Sequence, residues 1–262
     1  MAVHFFFILL SVALAVAIFM ISESREDSRN RSRPKYKGDI RTEPPVKTED
    51  AEKYIYLLYK SSLSDFRRVL HFHILKWIKE GCLEAELERK SYVFRVLCRP
   101  EGSALERELF SYFSASEYEE KIVRRDFTVT NRRNAAGIEE LDRRISRKSE
   151  NYLLEEGYIS EGARNKFTKE GKYLVKEFKG YREYLKKIDR YREELRDDEE
   201  NLEIHIMFSA LLGTFDTVEA AVFREFPSYY ESGKLDGKSL ELAMVYSKIM
   251  SEVVYPPDTI GG

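Results

Sequence analysis

The chain has 262 residues, room for one larger or two small domains, and 34% of them are charged while 17 Tyr and 16 Phe are available to fill an interior. That composition excludes an intrinsically disordered protein. With 44 basic and 46 acidic side chains the formal net charge is -2, which excludes a general electrostatic attraction to nucleic acid or anionic lipid.

Residues 3–21 run 19 positions without a formal charge. As a helix that stretch would reach roughly 28 Å, close to the thickness of a bilayer core. Ala15 and Ala17 are small enough for a signal-peptide cleavage site, but residues 1–4 contain no Lys or Arg, so an uncleaved anchor over residues 1–22 is the better reading. Between Glu23 and Arg41 lie seven basic residues against four acidic ones. The positive-inside rule then keeps this flank in the cytoplasm and predicts a single-pass plasma-membrane protein with a cytoplasmic C-terminal region. Residues 23–45 form a basic juxtamembrane linker that ends on Pro44-Pro45.

Thr48 followed by Glu49, Asp50 and Glu52 predicts a capped helix start, and the apolar run through Tyr59 continues it. A second helix is predicted over residues 64–80. Phe66, Val69, Leu70, His73, Ile74, Trp77 and Ile78 share its core stripe, and Gly81 closes it. Residues 82–88 alternate polar and apolar, and residues 92–98 are rich in strand formers, which predicts a β-hairpin turning near Arg89-Lys90. Cys82 and Cys98, at its two ends, are too few for a disulfide framework or a zinc site and are expected to be small buried hydrophobes in a reducing compartment.

Two helices and a hairpin is the order of a winged helix, predicted here over residues 46–99. In a DNA-reading member the second helix would enter the major groove. Arg67, Arg68, Lys76 and Lys79, with His71, are then the candidate nucleic-acid or partner contacts on its outer side, and Phe72 and Leu75 also fall outside the core stripe. The eleven basic and nine acidic residues between Glu43 and Arg99 make a weakly charged face, better suited to a protein than to DNA.

Residues 100–168 suggest a second such unit. A short amphipathic helix is predicted over 105–113 and a longer one over 138–156, carrying Ile138, Leu141, Ile145, Tyr152 and Leu153. The sequence LLEEGYI at 153–159 echoes WIKEGCL at 77–83. Arg143, Arg144, Arg147 and Lys148 cluster on that helix among acidic neighbours, the pattern of a solvated face. Residues 169–255 are expected to form an antiparallel helical region, with a long helix to Arg196 pairing with an apolar helix over 202–226, before a short tail at 256–262. The densest apolar run, 204–215, spans twelve residues, too few for a second membrane crossing.

The stretch FTKEGKYLVKEFKGYREYL at 167–185, followed by IHIMFSALLGTFDTVEAAVFREFPSYY at 204–230, resembles the C-terminal cytoplasmic region of the YciQ-like family of predicted membrane proteins, a domain of unknown function. EPP at 43–45 and KEGCLEAE at 79–86 are similar to that family's linker and helix-Gly-hairpin step. The resemblance marks Thr168, Glu170, Gly171, Phe178, Gly180, Tyr181, Tyr184 and Leu185 as structural motif positions. It implies architecture and no catalytic residue. Larger members carry an extracytoplasmic β-rich domain before the anchor and an apolar hairpin before the Thr-x-Glu-Gly step, and this chain shows neither, so it resembles a reduced member or a truncated gene product.

His71 and His73 stand about 200° apart on a helix and cannot chelate one metal, and His205 sits alone beside apolar neighbours. No HExxH, P-loop, GxGxxG or Gly-x-Ser-x-Gly pattern occurs. The expectation is therefore a mainly α fold with small β-hairpins and one N-terminal transmembrane helix. No cofactor or metal is expected, and the function expected is non-enzymatic protein interaction or regulation. The alternative is a membrane-tethered winged-helix DNA-binding regulator.

Overall fold

The computed structural model describes residues 38–88, 91–114, 121–162, 166–197 and 201–256. The expected anchor, residues 23–37 of the basic linker, the hairpin turn at 89–90 and most of the tail lie outside the described residues. Among the described residues no helix is long and apolar enough to cross a membrane.

The described chain is mainly helical with small antiparallel sheets. A 3-10 turn, Thr48–Tyr54, leads into α1, Ile55–Lys60. Thr48 begins the turn rather than capping it, while Glu49 and Asp50 occupy its first turn as expected. Helix α2, Phe66–Lys79, is capped by Asp65, whose carboxylate accepts from the Arg68 amide at 3.0 Å. At its other end Gly81 adopts a left-handed φ of 76°, and the Cys82 amide reaches back to the Trp77 carbonyl at 2.8 Å.

Strands β1, Leu83–Glu88, and β2, Ser91–Val96, pair antiparallel with Leu83 opposite Val96. A third strand, β3 at Lys121–Ile122, adds to β2 with Ile122 opposite Phe94. Helix α3, Ala104–Ser114, precedes β3, and α4, Arg124–Glu155, follows it. Helix α4 starts well before the predicted residue 138, because Phe127 and Asn131 are buried and extend its inner face.

The echo between 77–83 and 153–159 has a geometric cause. Gly157 repeats the left-handed cap at φ 74°, and the Tyr158 amide reaches back to the Leu153 carbonyl at 2.8 Å. A two-stranded hairpin follows again, β4 at Ile159–Ser160 and β5 at Lys166–Phe167. The repeated letters are one way of ending a helix, used twice.

Helix α5, Lys169–Lys186, ends ten residues short of the predicted Arg196 and gives way to a 3-10 turn, Ile188–Arg190, and α6, Arg192–Asp197. The expected single helix over 202–226 is also broken. Gly213, at φ 68° and ψ 44°, separates α7, Leu202–Leu212, from α8, Phe215–Glu225. Helices α9, Pro227–Ser232, and α10, Gly237–Val254, follow.

The largest correction concerns α2. Helices α7 and α10 both pack on it, so Phe72 and Leu75, expected outside the core, are 2% and 0% exposed. His71 and Lys76, expected on the outer side, are buried as well. A stripe drawn for one partner underestimates a helix that has several. One hydrophobic cluster gathers residues from Ala51 to Val254, so α2 lies inside a shared core instead of facing outward from a unit of its own. Cys82 is buried, but Cys98 is exposed, because β2 ends at Val96 and the chain leaves the core there.

Candidate functional site

The four candidate contact residues of α2 do not form one surface. Arg67 is exposed. Arg68 is half-buried, donates from Nη1 to the Leu63 carbonyl at 3.3 Å, and places its guanidinium where a side chain on Gly213 would stand. Lys79 is half-buried, with its ammonium 3.7 Å from Glu203. Lys76 points inward, and its ammonium donates to both carboxylate oxygens of Glu106 at 2.7 and 2.8 Å.

Glu106, on α3, is the hub of a buried network that the sequence did not reveal. It also accepts from the Trp77 indole at 3.0 Å and lies 3.8 Å from the His73 imidazole. Burial alone would raise its carboxyl, but the nearby His73 imidazole and the hydrogen bonds and charge of Lys76 outweigh that and hold it at about 2. Such a carboxylate stays ionised at neutral pH and has little tendency to accept a proton. Its role is to rivet α3 to α2.

Of the motif positions, Thr168 is the cap of α5 and the other seven lie along that helix. Thr168 caps the helix by accepting from the Gly171 amide at 3.1 Å, and its hydroxyl donates to the Gly157 carbonyl at 2.8 Å, tying α5 to the end of α4. Gly171 lies against the Tyr158 carbonyl so closely that a Cβ would collide with it. A Cβ on Gly180 would sit 2.5 Å from the Asp39 carbonyl, so the chain entering the fold passes directly over that glycine. Arg41 forms an ion pair with Glu177 and holds this strap to α5. Phe178, Tyr181, Tyr184 and Leu185 face the core, and Glu170 is exposed.

Beside the strap opens a cleft of about 760 Å³. Its wall is the chain from Thr42 to Asp50, including Pro44, Pro45 and Val46, and its floor is Tyr54, Tyr184, Ile204 and His205. Lys47, Lys79, Glu43, Glu49, Asp50 and Asn201 supply polar groups of both signs. His205 is not isolated as expected. Its Nδ1 is hydrogen-bonded to the Tyr181 hydroxyl at 2.7 Å, and its ring packs against Tyr181 and Tyr184. Among the described residues no group of three or more His, Cys, Asp or Glu is placed to hold a metal ion.

The chain matches no family model, no curated protein and no solved structure. Any link to the YciQ-like family therefore rests on the motif residues themselves. Two of them, Gly171 and Gly180, occupy positions where backbone contact requires a residue without a side chain. His205 and Glu106 were not legible as site or network residues, because their partners lie 24 and 30 positions away in the chain.

Proposed function

We propose that the chain is a membrane-anchored cytoplasmic protein, a relative of the YciQ-like family, whose folded region is a non-enzymatic interaction or regulatory domain. The cleft between the strap and helices α5 and α7 carries this reading. Its apolar floor, proline-rich wall and rim of mixed charge suit an extended segment of another protein, which offers side chains to the floor and backbone groups to the rim. The 3-10 turn and α5 hold the wall in place, so little ordering is left to binding.

No observation favours the alternative of a tethered DNA-binding regulator, since the helix it would read with is enclosed by α7 and α10. The test compares proteins retained from detergent extracts by the full-length chain and by Ile204→Arg, which fills the floor of the cleft. Loss of a specific retained protein, at unchanged helicity, is the expected result. Retention of the same proteins by both forms would remove the cleft as the binding site. Turnover of a small molecule by the purified chain would overturn the non-enzymatic reading.

A further inference from the structure

The hairpin β1–β2 is framed by the two cysteines. Backbone pairing continues past the last ladder residues, with the Leu97 amide donating to the Cys82 carbonyl at 2.9 Å. One residue further on, the Cys98 thiol reaches the Gly81 carbonyl at 3.8 Å. Cys98 therefore lies across the chain just where Cys82 begins the opposite strand. Both positions lie just outside the ladder, which ends at Leu83 and Val96, so Cys82 faces Leu97 and Cys98 faces Gly81. Facing Cα atoms of adjacent strands stand about 4.5–5.5 Å apart and a disulfide spans roughly 4.4–6.8 Å, so a one-residue diagonal is within reach beyond the ladder, where the regular alternation of side chains no longer holds.

Both thiols are free, and they differ in access: Cys98 is exposed, whereas Cys82 is 3% exposed. Burial, and then the hydrogen bond and charge of the neighbouring Cys98 thiol, push the Cys82 thiol up to about 12. Cys98 is thus the group a solution reagent meets first, and Cys82 the one that reacts second and slowly.

We propose that Cys82 and Cys98 are a modification site, a thiol pair that closes into a reversible intrachain disulfide by exchange with a small disulfide such as oxidised glutathione. Cys98, as thiolate, attacks one sulfur of the glutathione disulfide. That S–S bond breaks, a Cys98–glutathione bond forms, and the first glutathione leaves as thiolate and takes up a proton. Cys82 then gives its proton to solvent and attacks the Cys98 sulfur, and the second glutathione leaves. Two protein thiols are oxidised and one glutathione disulfide is reduced to two molecules of glutathione. The new bond joins the C-terminal cap of α2 to the exit of β2, so the whole hairpin becomes a closed loop next to Lys79 at the rim of the cleft.

The full-length chain in detergent is equilibrated with oxidised and reduced glutathione at stepped ratios, quenched with an alkylating reagent, and analysed by intact mass and peptide mapping. Wild type should pass from two alkylatable thiols through a single adduct on Cys98 to a form with neither adduct nor free thiol, in which the Cys82 and Cys98 peptides are joined. Cys82→Ala should stop at the adduct, and Cys98→Ser should stay reduced. The joined peptides are read in wild type, so the result does not depend on either variant folding. A persistent adduct with Cys82 still alkylatable after unfolding, or a disulfide only between two chains, would overturn the proposal.

Discussion

Glu106 shows how much can depend on one side chain that solvent hardly reaches. It binds Lys76 and Trp77 at once, so Glu106→Gln leaves the Lys76 ammonium buried beside a neutral amide. Breaking a buried ion pair from one side costs about 3–5 kcal/mol. The pH dependence has a definite sign. The folded-state value of about 2 lies below the ordinary 4.5, so the stabilisation is complete above about pH 4.5 and is lost as pH falls towards 2. The amount at stake is on the order of 3 kcal/mol. Urea midpoints measured from pH 7 to pH 2 should converge for wild type and Glu106→Gln, and a constant gap would show that the charge plays no part. At the head of α5, Thr168→Ala removes the cap from the Gly171 amide and should cost about 1 kcal/mol, read from the same denaturation curves.

At the scale of elements, the position of α2 separates the two architectures most clearly. On a solvent-facing recognition helix, Leu75→Ala would change stability by no more than about 0.5 kcal/mol. Enclosed as it is at 0% exposure, the same substitution should cost about 2–5 kcal/mol in chemical denaturation. The strap makes a second prediction. Gly180→Ala places a methyl group against the Asp39 carbonyl, so the chain before Val46 must lift from α5. Limited proteolysis should then cut the strap faster than in wild type, and partner retention should fall with it. An unchanged cleavage rate would mean that the strap is held by Arg41 and Glu177 alone.

At the scale of the molecule, orientation governs everything else proposed for the chain. If residues 3–21 are an uncleaved anchor with the basic flank inside, an engineered cysteine in the linker should resist a membrane-impermeant reagent on intact cells. Neutralising Arg25, Arg29, Arg31, Arg33, Lys35, Lys37 and Arg41 should weaken the orientation without abolishing insertion, because the charge bias sets direction and the apolar stretch drives partition. Labelling of that engineered cysteine from outside while the basic flank is intact, or a soluble product shortened by about 20 residues, would reverse the assignment.

What could be read from the sequence was local. The core stripe of α2, the hairpin between Cys82 and Cys98, and the glycine stops at Gly81 and Gly157 depend on neighbours within a few positions, where periodicity and capping act. Where α5 stops, the break at Gly213 and the burial of Phe72, Leu75 and Lys76 were decided only in three dimensions. The physical reason lies in the packing. A helix pattern records which face is apolar but not how many partners will cover it, so Phe72 and Leu75 looked like part of an outer surface although α7 and α10 pack on the helix, and Lys76 did too although it turns inward to Glu106 on α3. The cleft has the same origin, since its wall at 42–50 and its floor at Tyr184 and His205 meet only through tertiary contact.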